Sequence, residues 1–186
     1  LAHVMAAKAI CFTEANRPEF KTYAGRIVDN AQILAESLVS EGISITTGGT
    51  DNHLMLLDVA ASFGITGRQA EEAVRECGIT LNRNSLPFDP NGAWFTSGLR
   101  IGTPAVTTLG MGHAEMKEIA AIFKLILSGT KAAEVTSGKN KGSLSQSKYI
   151  LDEQVKREAR ARTQALLDRF PVYPELNLEF LREHFL

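Results

Sequence analysis

The chain has 186 residues, enough for one domain with a substantial hydrophobic core, or for a domain plus an extension. With 44% hydrophobic and 22% charged residues its composition is that of an ordinary globular protein, which excludes a disordered or low-complexity chain. A formal charge of -1 provides no global field toward nucleic acid or a membrane surface.

No apolar run reaches membrane-spanning length and no signal-peptide pattern opens the chain, so a cytoplasmic protein is expected. Cys11 and Cys77 fit neither a disulfide framework nor a zinc pattern. Each lies on a predicted helix among apolar neighbours and is read as a core thiol. No His/Cys/Asp/Glu cluster has metal-ligand spacing, so no metal is expected.

In chain order, residues 1–15 are Ala-rich and helical, and open without a capping residue. We therefore expect a piece of a longer polypeptide, with this first helix exposing an apolar patch. Asn16-Arg17-Pro18-Glu19 reads as a helix restart with Asn16 as cap. Phe20, Tyr23, Ala24, Ile27, Val28, Ala31, Leu34 and Leu38 form one stripe at helical spacing, ending at Gly42.

Ile43–Thr47 and His53–Val59 read as strands joined by a Gly-rich turn. The run Leu54-Met55-Leu56-Leu57 suggests that the second is covered on both faces, with His53 a structural residue at its start. Thr66-Gly67-Arg68-Gln69 is a capping box opening a helix that Gly78 closes. Short strands are expected at Ile79–Leu81 and Ser97–Ile101, with a long loop between them. A helix follows Gly110-Met111-Gly112, with Met116, Ile119, Ala120, Phe123, Ile126 and Leu127 inward. Residues 129–147 are rich in Gly, Ser and Lys and read as a flexible linker or surface loop. A helix from Tyr149 to Phe170 and an amphipathic tail, expected to dock on the domain, complete the chain.

This order describes a small α/β unit, a sheet with helices on one face. The expected divisions are a helical segment 1–42, a small α/β domain 43–128, a flexible insertion 129–147, and a C-terminal helix and tail 148–186.

Chemistry concentrates in the long loop and the strand after it. Arg100 stands where a rigid guanidinium fork could grip a planar carboxylate through two parallel hydrogen bonds. A surface ion pair is the competing reading. Asn84 can donate and accept, which suits a heterocycle; it could also simply bond its own backbone. Trp94 could stack on a flat ring or anchor a core.

Three separated motifs resemble the C-terminal third of serine hydroxymethyltransferase. They are Thr47-Gly48-Gly49-Thr50-Asp51-Asn52-His53-Leu54, Asn84-Ser85-Leu86-Pro87-Phe88-Asp89-Pro90, and Thr96-Ser97-Gly98-Leu99-Arg100-Ile101-Gly102-Thr103-Pro104. The resemblance runs over residues 1–128 and resumes near Arg169-Phe170-Pro171-Val172-Tyr173. It implies the small C-terminal domain of a fold-type-I pyridoxal phosphate (PLP) enzyme, with the long helix linking to a large N-terminal domain. The implied reaction interconverts serine plus tetrahydrofolate with glycine plus methylene-tetrahydrofolate, in a homodimer. On this resemblance Arg100 binds the substrate carboxylate, and Asn84, Gly92, Ala93 and Trp94 contact folate. Trp94 departs from the Phe or Met more usual at its position.

The cofactor-anchoring lysine of the resembled family follows a His in a Thr-rich run, and no lysine here follows a His. The chain is therefore expected to carry the carboxylate clamp and part of the folate site but no catalytic lysine, and to be inactive alone. Two other readings stay open: a stand-alone amino-acid-binding or interaction module, and the small domain of another fold-type-I PLP enzyme such as an aminotransferase.

Overall fold

A computed structural model describes residues 1–138 and 140–185 of the chain. Two helices lead, α1 (Ala2–Ala15) and α2 (Pro18–Ser40), followed by strands β1 (Ser44–Ile45) and β2 (Leu54–Asp58). Helices α3 (Val59–Phe63) and α4 (Gly67–Glu76) precede β3 (Asn82–Asn84), the single turn α5 (Gly92–Phe95) and β4 (Gly98–Gly102). Then come α6 (Pro104–Thr108), α7 (His113–Ser128), β5 (Thr130–Glu134), β6 (Leu144–Leu151), α8 (Glu153–Arg169) and α9 (Leu178–Phe185).

The first four strands form one antiparallel sheet in the order β1-β2-β4-β3. Helices α2, α4 and α7 pack on one side of it. Met55, Leu57, Leu99 and Ile101 point into that core and meet Leu34, Leu38, Val74, Met116, Phe123 and Ile126. The predicted small sheet with helices on one face is thus the observed architecture.

Strand β2 is covered on one face only. Met55 and Leu57 are buried, whereas Leu54 is exposed and Leu56 half-buried on the other side. The apolar run therefore does not signal double burial within this chain. His53 is exposed and contributes its carbonyl, which accepts from Thr103 N at 3.2 Å.

Pro18 occupies the first turn of α2 and sets its start, so Arg17, not Asn16, is the cap residue. The residue before proline is pushed to extended backbone, and Arg17 has φ -81° and ψ 148°. Asn16 instead ends α1. The C-terminal half of α2 buries Ala31, Leu34, Ala35 and Leu38, while Phe20 remains exposed. Helix α1 buries no residue, and Cys11, expected in a core, is exposed on it; Cys77 is fully buried.

The capping box of α4 is complete: Gln69 N donates to Thr66 Oγ1 at 3.2 Å and Thr66 N donates to Gln69 Oε1 at 2.9 Å. The edge strand pairs at Asn82–Asn84, three residues beyond the apolar Ile79–Leu81, because the register with β4 and not local hydrophobicity decides where pairing begins.

Within residues 129–147, expected as a flexible segment, β5 pairs antiparallel with β6 as a hairpin. The Gly/Ser/Lys composition is concentrated in its connection, and the flanks are held from outside. Buried Gln69 donates to Ser145 O at 2.6 Å and to Lys148 O at 2.7 Å, and Thr66 Oγ1 donates to Gln146 O at 2.8 Å. Tyr149 belongs to this hairpin, so the last long helix begins at Glu153, where the Asp152 carboxylate accepts from Gln154 N and Val155 N. In the tail, expected to dock, Tyr173, Leu176 and Phe180 are exposed.

Candidate functional site

Strand β4 alternates, so Leu99 and Ile101 turn toward the helices and Arg100 turns to the open face. The register places Arg100 between Leu56 of β2 and Asn82 of β3. Among the described residues none makes an ion pair or hydrogen bond with its guanidinium. The guanidinium is an exposed fork without a partner among the described residues, on a surface whose other lining side chains are apolar, hydroxyl or amide, with the single carboxylate of Asp51 in the facing turn.

Arg100 borders two cavities. One, of about 770 Å³, is an open cleft walled by the turn Thr46–Asn52, by Leu54 and Leu56, and by Asn84 and Pro87. The turn is cross-bonded: Thr50 Oγ1 donates to Leu54 O at 2.6 Å, Leu54 N donates to Asn52 Oδ1 at 2.7 Å, and Gly48 takes φ +74°. The other cavity, of about 420 Å³, is mostly apolar and lies between the sheet and α7 and α8, lined by residues such as Leu34, Ile101, Met111, Phe123 and Leu166.

Asn84 lies on the same face as Arg100, two positions along β3 from the residue opposite it. Its amide Nδ2 donates to Ser85 O at 2.7 Å, and its side-chain oxygen has no partner among the described residues. The structure therefore brings Asn84 and Arg100 together on one cleft.

Gly92, Ala93 and Trp94 do not line that cleft. They form α5, which Gly92 enters with φ +67°. Trp94 is 63% exposed, with Arg68 Cζ 5.2 Å and Arg83 Cζ 5.6 Å from its ring. Arg83 is paired with Leu99 and so projects to the helix side of the sheet. Trp94 thus stands around the sheet edge from Asn84 and Arg100.

Sequence reasoning gave no role to Asp89. Its carboxylate gathers hydrogen bonds from Leu86 N (3.0 Å), Asn91 N (2.9 Å), Ser97 N (2.7 Å) and Ser97 Oγ (2.6 Å). Burial raises its pKa, but the hydrogen bonds from Ser97, Asn91 and Leu86 together outweigh it and hold the group below the usual carboxylate range. An Asp followed by Pro, with Ser and Asn nearby, is the available sequence signal.

Among the described residues, none that lines the two Arg100 cavities is a lysine. The Arg100 guanidinium offers a carboxylate a ready partner there.

The serine hydroxymethyltransferase family profile matches residues 1–123. The serine hydroxymethyltransferase of Treponema pallidum is 54% identical over 185 residues, covering 100% of this chain and 31% of its own length. That of Salinispora tropica is 50% identical over 178 residues, covering 96% of this chain and 36% of its own. That of Chlamydia muridarum is 48% identical, covering 97% and 35%. The chain spans about a third of the length of these relatives. It belongs to the serine hydroxymethyltransferase family.

Proposed function

We propose that this chain is the C-terminal part of a PLP-dependent serine hydroxymethyltransferase, supplying the substrate-carboxylate clamp and part of the folate site. The observation that carries the reading is the unpaired Arg100 guanidinium beside Asn84 on one cleft of the open sheet face. In the complete protein the reaction is the interconversion of serine and tetrahydrofolate with glycine and methylene-tetrahydrofolate. The large N-terminal domain, the homodimer and a cytoplasmic setting belong to the same proposal.

When bound, PLP supplies an electron sink for the amino acid's reacting carbon. None of the described residues at the cleft is a lysine that could anchor it, and the part we assign to this chain is binding and orientation. Arg100 takes the α-carboxylate in two parallel charge-assisted hydrogen bonds, which limits rotation of the amino acid and fixes which bond faces the cofactor. Asn84 offers the free oxygen of its amide to ring and exocyclic N–H groups of the folate pterin. Gly92, Ala93 and Trp94 meet folate farther from Asn84, around the sheet edge. Alone, the chain binds no PLP covalently and is inactive.

The test is visible absorbance with added PLP, on the chain alone and co-expressed with the N-terminal two thirds of a close relative. The expected result is no PLP-lysine band alone, and a band with tetrahydrofolate-dependent serine cleavage on reconstitution. A band from the chain alone, or a folded reconstituted pair without one, overturns the proposal.

A further inference from the structure

We propose that Asp89 is a positioning residue for the tetrahydrofolate half of the site, tying the loop that carries Asn84 to the strand that carries Arg100. The inference rests on the folate reading above. Between Asn84 and Gly98 the only regular structure is the single turn α5, so something else must hold this long loop. Asp89 does so with both carboxylate oxygens. Oδ2 accepts from Leu86 N and Ser97 N, and Oδ1 accepts from Asn91 N and Ser97 Oγ. Leu86 lies just past Asn84, and Ser97 just ahead of β4. One carboxylate therefore clamps both arms of the loop.

Three further observations converge on this clamp. Asn91 Nδ2 donates to Ser97 Oγ at 2.9 Å, and Gln146 Nε2 on the hairpin donates to Asn91 Oδ1 at 3.4 Å, so the loop is also tied to β6. Phe88 and Thr96 hold φ of +59° and +56°, a left-handed backbone that costs a non-glycine residue free energy. The Phe88 side chain is 104% exposed and makes no packing contact that could impose this, so the bonds on the next residue, Asp89, hold it. A Cβ at Gly98 would meet Leu86 Cδ2 at 2.5 Å, so the clamped arm lies directly on the strand that leads to Arg100.

All four bonds stay within the loop and its junction with β4, and the buried Ser97 at that junction is held independently of them, its carbonyl accepting from Val59 N and Ala60 N at 3.1 Å. Loss of the clamp should therefore act on Asn84 and α5 more than on the fold, and more on tetrahydrofolate than on the amino acid. Asp89→Asn removes the negative charge from all four bonds and, with its NH₂ set at the Oδ1 position, sets one N–H against Asn91 N–H while the Ser97 hydroxyl can turn to accept, so the clamp is weakened and at least one bond fails. Ser97→Ala keeps the carboxylate and removes one bond to it.

The experiment is calorimetric binding of tetrahydrofolate and of glycine to the PLP-loaded full-length enzyme, wild type and the two variants, with melting temperatures measured alongside. Asp89→Asn is expected to weaken tetrahydrofolate binding about tenfold or more while glycine binding stays within about twofold. Ser97→Ala is expected to weaken tetrahydrofolate binding by a smaller factor. The proposal is overturned if Asp89→Asn leaves tetrahydrofolate binding unchanged, or weakens both ligands equally. Should Asp89→Asn fail to fold, an unchanged tetrahydrofolate affinity in Ser97→Ala overturns it. A wild-type enzyme that binds glycine but no tetrahydrofolate would defeat the folate reading itself, which separates the two failures.

Discussion

Arg100 owes its availability to strand register. With Leu99 and Ile101 committed to the core, the residue between them must face outward, and the neighbours in register, Leu56 and Asn82, carry no charge to pair with it. A charge-assisted bond contributes about 1.5–3 kcal/mol, so on the proposed carboxylate role Arg100→Lys, which keeps the charge and loses the fork, should raise the glycine dissociation constant of the full-length enzyme roughly 10- to 100-fold. Calorimetric titration checks this, and unchanged affinity in Arg100→Ala would remove Arg100 from the site. Arg100 and Asn84, which the fold brings to one cleft, stood out as candidates in the sequence because their motifs are local. Asp89 was not, because its four donors come together only when the loop folds back on Ser97. Cys11 misled for a related reason: apolar neighbours in sequence become core only if another element covers them, and within this chain nothing covers α1.

Among the elements, the β5–β6 hairpin depends most on its surroundings. Its strands bury only Thr130 and Leu151, and a two-stranded ribbon is marginal alone. Gln69 supplies two hydrogen bonds from a fully buried position, and Glu76 receives both the Tyr149 hydroxyl and the Lys156 ammonium. Gln69→Ala should therefore cost about 2–3 kcal/mol, lower the melting temperature by about 4–12 °C, and speed hydrogen exchange along β6 ahead of the main sheet. Uniform exchange across both sheets would show that the clamp is not local. Helix α1 is the opposite case. Met5 is 71% and Phe12 68% exposed, so the pair Met5→Glu and Phe12→Glu should leave the melting temperature of this chain unchanged and reduce its self-association in sedimentation velocity. A destabilised monomer would mean that α1 packs on the domain after all.

For the whole molecule, carboxylates join elements distant in sequence. Glu115 at the start of α7 accepts from Gly112 N at 2.9 Å and from Arg169 of α8 at 2.8 Å. The Gly112 N–H, helped by Arg169 against the opposing effect of burial, holds its carboxyl below the ordinary 4.5. Glu118 is lowered in the same way, by its hydrogen bonds with Arg162 of α8. A carboxyl with a depressed folded pKa contributes stability that is fully present above its unfolded value and lost as pH falls through the folded one. The melting temperature should therefore stay level from about pH 8 to about pH 5 and fall below the ordinary carboxylate value of 4.5. Glu115→Gln should make that acid fall shallower, and an identical profile would exclude Glu115 as a contributor. At this scale the sequence by itself determined the class of the fold, the buried half of the α2 stripe, the α4 capping box and the motifs that carry Asn84 and Arg100, because periodicity, caps and motifs act over a few neighbouring residues. Tertiary structure alone decided that one sheet face stays open, that residues 130–151 form a clamped hairpin, that Trp94 and Asn84 lie on different sides of the edge strand, and that Asp89 holds the loop. Each of these depends on which surface another element covers, or on donors brought together by the fold, and no local pattern encodes either.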